Sequence, residues 1–151
     1  MISIKIIAIN LLILGLVSCS NILKVESDRL IIKIQDKYVK GVSEYGEIIY
    51  KSSILDTIKL TNDDKNYLWF NFGIFDKPQS IENLKGKTTE IYKAINDSVI
   101  PFKSVANKKG TFYIDGYLEH TIILPNYYKN GNEKIVREYI KISKKINVVE
   151  K

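Results

Sequence analysis

The chain has 151 residues, of which 45% are hydrophobic, 26% charged and 11% aromatic, the balance of one ordinary globular domain and too short for a two-domain enzyme. Its formal net charge of +6 comes from cations scattered along the chain, a pattern that fits solubility or mild attraction to anionic lipid or polysaccharide. One Cys and one His exclude a disulfide framework, a Cys/His zinc site and a multi-histidine centre built from this chain alone, so no cofactor or metal is expected.

Met1 to Leu16 combines one cation, Lys5, with an apolar run from Ile6 to Leu16, the pattern of a secretory signal. The run ends in Leu16-Val17-Ser18-Cys19: an aliphatic residue, a β-branched one, a small one and the chain's single cysteine. In this box the chain resembles a bacterial lipoprotein precursor. The resemblance covers only the first 20 or so residues. It implies that Leu16, Val17 and Ser18 are read by a lipoprotein signal peptidase that cuts before Cys19, and that the Cys19 thiol carries diacylglycerol. It also implies a lipid bilayer as partner, with the outer membrane as default destination in a two-membrane host because Ser20 follows the cysteine. An uncleaved membrane helix over Ile6 to Leu23 is the competing reading, weakened by Asn10, Gly15, Ser18, Ser20 and Asn21.

The domain plan is therefore a signal peptide over 1–18, a lipidated cysteine and short tether over 19–27, and a single β-rich domain over 28–151. The tether from Asn21 to Ser27 reaches about 25 Å when extended. Nucleic acid is not expected as a partner of an exported chain.

In chain order, Leu30 to Ile34, Glu47 to Tyr50, Ile54 to Leu60 and Tyr67 to Ile74 read as strands, the last apolar on both faces and so central. From Pro78 to Val105 the signals conflict. Ser80 to Leu84 and Thr89 to Ile95 fit short helices, yet Tyr92 and the β-branched content also allow strands. Thr111 to Leu124 and Val136 to Val149 then alternate apolar and polar residues with period two. Several short strands with turn signals between them predict a mostly β fold, an antiparallel β-sandwich or small barrel with a long C-terminal hairpin and room for one or two short helices in the middle.

The turn of that hairpin contains Asn130-Gly131. A two-residue loop would put the apolar sets of the two strands on opposite faces, which a sheet with one buried face rejects. A three-residue loop with Gly131 left-handed pairs Tyr128 with Asn132. It sets Phe112 against Val148, Ile114 against Ile146, Leu118 against Ile142 and Leu124 against Val136, with Asp115 facing Lys145 and Glu119 facing Lys141. Two pairs fit badly in this register: Ile122 with Glu138, and Gly116 with Lys144. Pro125 removes a ladder donor and places the turn end at a sheet edge.

Residues with chemistry are few. His120 falls on the apolar face opposite Ile140 and reads as a hydrogen-bonded sheet histidine, because no motif supplies a nucleophile beside it. Asp115 and Glu119 lie four strand residues apart, about 13 Å, wider than the carboxyl pair of a glycosidase. Asp63-Asp64 lacks the further oxygens of a calcium loop, and Trp69 reads as sheet packing. Tyr113, Tyr117, Tyr139 and Lys141 share the polar face of the hairpin and form a candidate binding face for an envelope protein or glycan.

The expectation is a membrane-anchored, non-catalytic binding or structural module of the cell envelope, without enzymatic activity. The alternatives are a small envelope hydrolase, which would need a cleft built by loops between Pro78 and Gly110, and a toxin-neutralising immunity lipoprotein.

Overall fold

A computed structural model of the protein describes residues 29–87 and 90–151. The signal segment, the box around Cys19 and the tether lie outside the described residues.

The fold is mostly β, with two sheets and two short helices. One sheet has the order β1 (Leu30–Lys33), β3 (Ser43–Tyr50), β6 (Val99–Val105). The other has the order β2 (Lys37–Val39), β8 (Lys134–Val149), β7 (Gly110–Leu124), β4 (Lys65–Phe75), β5 (Glu90–Lys93), and curls into a half-barrel. All neighbours are antiparallel except β2 and β8, which run parallel. β2 was not foreseen from sequence. It covers only Asn147 to Val149 of β8, so the rest of that strand's outer edge has no strand partner among the described residues.

Aromatic side chains fill the space between the sheets. Phe70 and Phe72 lie two apart on β4 and stack at 4.8 Å, while the Phe102 ring from β6 meets each edge-on at 5.2 Å. Ile48, Ile100, Leu118, Ile140, Ile142 and Ile146 complete the core. Each large apolar side chain so buried contributes about 1.5–3 kcal/mol. Gly46 makes room for Phe102, since a Cβ there would stand 2.4 Å from the ring.

The expected central position of Tyr67 to Ile74 is met, with β4 between β7 and β5. The segment Ile54 to Leu60, expected as a strand, instead forms a single helical turn, α1 (Ile54–Thr57). The Ser52 hydroxyl accepts the Ile54 N–H at 3.2 Å and thereby takes a donor that a ladder would need. In the undecided region, α2 (Ile81–Lys85) is capped by the Ser80 hydroxyl, which accepts from the Asn83 N–H. Glu90–Lys93 is a strand. Tyr92 turns inward against Phe72 and Phe102, while Ile91 points to solvent, so period two wins over the helical spacing of Ile91 and Ile95.

The hairpin register differs from the expected one by two residues. Phe112 faces Ile146, Ile114 faces Lys144, Leu118 faces Ile140 and Ile122 faces Val136; Leu124 faces Lys134. On the polar face Asp115 meets Ser143, Tyr113 meets Lys145, Tyr117 meets Lys141 and Glu119 meets Tyr139. The turn itself matches expectation: Gly131 has φ +82°, its N–H donates to Tyr128 O, and the Tyr128 N–H donates to Asn132 O at 3.2 Å. The shift arises between turn and ladder, where Pro125, Asn126 and Tyr127 on one arm stand against Glu133 alone on the other. Asn126 takes φ +55° to absorb the surplus. Because the surplus is two residues, every side chain keeps its face. Pro125 lies beyond the last rungs, Lys65 with Ile123 and Leu124 with Lys134, so its missing N–H costs no ladder bond.

β7 is buried on both faces from Ile114 to Leu118, and at its middle a Cβ on Gly116 would meet Asn71 O at 2.3 Å and Phe72 Cβ at 2.6 Å. Gly116→Ala is therefore expected to cost about 1–3 kcal/mol or more through overpacking against β4. Urea denaturation checks this, and a variant as stable as the parent would mean that β4 and β7 separate freely at this point.

Candidate functional site

The sheet pairing brings polar side chains together in two places. The first lies between the sheets. β7 and β8 set His120 directly opposite Glu138, β4 adds Asn66, and the end of β3 with the residues after it adds Tyr50 and Ser52. The Ser52 hydroxyl sits 2.9 Å from His120 Nδ1 and 3.2 Å from Glu138 Oε2. The Tyr50 hydroxyl donates to the same Glu138 oxygen at 2.9 Å, and His120 Nε2 donates to Asn66 Oδ1 at 2.7 Å. His120 is 1% exposed, Tyr50 2%, Ser52 5% and Glu138 7%.

The electrostatics follow from that burial. Desolvation alone would push the Glu138 carboxyl up, but His120, Tyr50 and Ser52 together outweigh it and hold the group below the ordinary carboxylate range. Desolvation and the adjacent carboxylate both push the Tyr50 phenol up. A serine, a histidine and a carboxylate are present, but Ser52 Oγ is occupied by the Ile54 N–H and enclosed with the rest. What the arrangement does is cross-link the two sheets through hydrogen bonds, and among the described residues no buried side-chain nitrogen or oxygen is left without a partner.

The second assembly lies on the opposite face of β7. Asp115, fully buried, takes the Lys141 ammonium and the Gln79 N–H. Tyr117 meets Tyr139 edge-on at 5.9 Å, and Lys85 of α2 places its ammonium 3.6 Å from the Tyr139 ring centroid. Leu84 of α2 is fully buried here. Of the candidate face, then, Tyr117, Tyr139 and Lys141 are brought together beneath α2 and its approach. Tyr117 is 6% exposed, Tyr139 and Lys141 are half-buried, and Tyr113, also half-buried, stands one pair further along.

Elsewhere, Glu119 pairs with Arg137 at 3.4 Å, and Asp64 closes its own turn by accepting from the Thr61 N–H and hydroxyl. Trp69 is half-buried and stacks on Tyr67 at 5.2 Å. No three His, Cys, Asp or Glu side chains gather into a metal-holding group among the described residues. An open cleft of about 470 Å³ lies between Ile74, Phe75, Val105, Ala106 and Phe112, at the end of the sandwich away from His120. No known family, curated protein or solved structure matches the chain.

Sequence reasoning missed Ser52 and Asn66 as partners of His120 and Tyr50 as a partner of Glu138. The signal for Glu138 was present as a carboxylate inside the apolar alternation Val136, Ile140, Ile142, which already conflicted with Ile122 in the expected register. Replacing Glu138 with Ala would leave two buried hydroxyls without their acceptor, for an expected loss of about 2–5 kcal/mol in urea denaturation. The sign with pH follows from the lowered Glu138 pKa. Its contribution is complete above the ordinary value of 4.5 and fades as pH falls through the lower folded value. Glu138→Gln should therefore show a flatter stability profile than the parent below about pH 4.5, and identical profiles would remove Glu138 from the acid response.

Proposed function

We propose that this protein is a bacterial lipoprotein held at a membrane by acylated Cys19, and that its β domain serves as a non-catalytic binding or structural module of the cell envelope. The observation that carries the reading is the box Leu16-Val17-Ser18-Cys19 directly after an apolar run, using the single cysteine of the chain. Diacylglycerol on the thiol places two acyl chains in the bilayer, and at about 0.8 kcal/mol per buried CH₂ that is enough for stable anchoring. Among the described residues no helix is long and apolar enough to cross a membrane. The non-catalytic part is supported by how the polar side chains are spent: His120, Glu138 and Ser52 are closed in on one another, and Asp115 is closed in with Lys141. The partner of such a module is an envelope protein or glycan.

In cells fed a labelled fatty acid, the wild-type chain should carry label and sediment with membranes, whereas Cys19→Ala should lose the label and leave the membrane fraction. Intact-mass analysis of the purified protein should find the chain beginning at Cys19 with the mass of its acyl groups added. An unlabelled wild-type chain that retains Met1 overturns the proposal.

A further inference from the structure

The two ends of the sandwich are different, and the chain that leads back to Cys19 leaves from one of them. β1 begins opposite Tyr50, the Lys51 N–H donates to Arg29 O at 2.9 Å, and the Arg29 guanidinium pairs with Asp56 of α1 at 2.6 Å. Tyr50 and Ser52 reach Glu138 and His120, each four residues from the last rung of the β7–β8 hairpin. Arg29, the first described residue, therefore lies at the end of the sandwich toward which that hairpin points.

Beyond the last rung the hairpin carries Tyr127 and Tyr128, 53% and 51% exposed, with their rings edge to face at 5.1 Å. Lys134 holds its ammonium 4.3 Å from the Tyr127 ring centroid and 3.2 Å from its hydroxyl. Lys129 is exposed at the turn, and Ile135, 49% exposed, flanks it. Two exposed rings backed by ammonium groups are the side chains that settle where hydrocarbon meets headgroups, the ring body toward lipid and the hydroxyl and ammonium toward water and phosphate.

Lengths agree with this placement. Four strand residues carry the hairpin about 13 Å past the level of Glu138, and the turn brings its tip to about 20 Å. The ten steps from Cys19 to Arg29 reach about 35 Å when extended, so the tip meets the bilayer before the tether is taut. We propose that the β7–β8 turn is a second membrane contact, with Tyr127 and Tyr128 at the lipid interface and Lys129 and Lys134 at the phosphates, fixing how the domain stands on its anchor. The inference rests on anchoring through Cys19. It turns the cleft between Ile74, Phe75 and Phe112 away from the membrane.

The test uses the full acylated chain on vesicles of phosphatidylethanolamine and phosphatidylglycerol. Acylation caps the Cys19 sulfur, so Asn130→Cys at the tip, or Asn107→Cys at the far end as control, supplies one thiol for an environment-sensitive fluorophore. The tip label should shift to the blue and be quenched by nitroxide lipids several-fold more than the Asn107→Cys label, and the added pair Tyr127→Ser and Tyr128→Ser should bring it down to the control. A tip label as wet as the control on an acylated, vesicle-bound chain overturns the second contact alone. A chain whose mass lacks acyl groups and that does not float with the vesicles overturns the anchoring and the contact with it.

Discussion

A strand buried on both faces has to be covered twice, and β7 imposes that condition on the rest of the molecule. Its inner face, Ile114 and Leu118, lies in one core with the three-stranded sheet and the Phe70, Phe72 and Phe102 rings. Its outer face carries Asp115 and Tyr117, which are enclosed only because α2 packs over them and Lys141 reaches across from β8. Gly116 shares the inner face with Ile114 and Leu118, and its missing side chain leaves room for β4 with Phe70 and Phe72 to come close. A buried carboxylate without its ammonium partner would be costly, so the fold of the middle region and the pairing of the hairpin are coupled at Asp115.

Between the sheets the same reasoning applies to Glu138. An apolar residue would pack there more simply, but Glu138 accepts from Tyr50 of the other sheet and from Ser52 just after it, and lies 3.8 Å from His120 on its own sheet. The directional bonds fix how the sheets sit at this end, where apolar packing alone would tolerate sliding. Away from this end, directional ties between the sheets are the Tyr38 hydroxyl with Ser104 at 2.9 Å and the Tyr92 hydroxyl donating to Lys103 O at 3.2 Å.

Much of this was legible in the sequence. Period-two runs revealed β7 and β8, a run apolar on both faces revealed β4 as central, the parity argument chose the correct faces for the hairpin, and the left-handed Gly131 was placed correctly. What failed was the step from turn to ladder: the argument was sensitive to odd slips and blind to even ones, and nothing local marks Pro125 to Tyr127 as surplus. Ile54 to Leu60 failed because a single hydroxyl, Ser52, redirected a backbone whose residue types favour extension. β2 was too short for periodicity, since only Tyr38 of its three residues is buried. The polar assembly around His120 was hidden because Tyr50, Ser52 and Asn66 come from segments that meet only after both sheets form.

The incomplete cover that β2 gives β8 has a bearing on solubility. From Lys134 to Ile146 the outer edge of β8 has no strand partner among the described residues, the kind of template onto which a second chain adds itself. Lys134, Arg137, Lys141, Lys144 and Lys145 are distributed along that strand, and Glu119, Asp115 and Asp36 pair with the middle three, so an incoming copy would meet chiefly Lys134 and Lys145. Where copies of the chain are concentrated, Lys134 and Lys145 of each would meet those of the next, a repulsion that weighs against joining edge to edge.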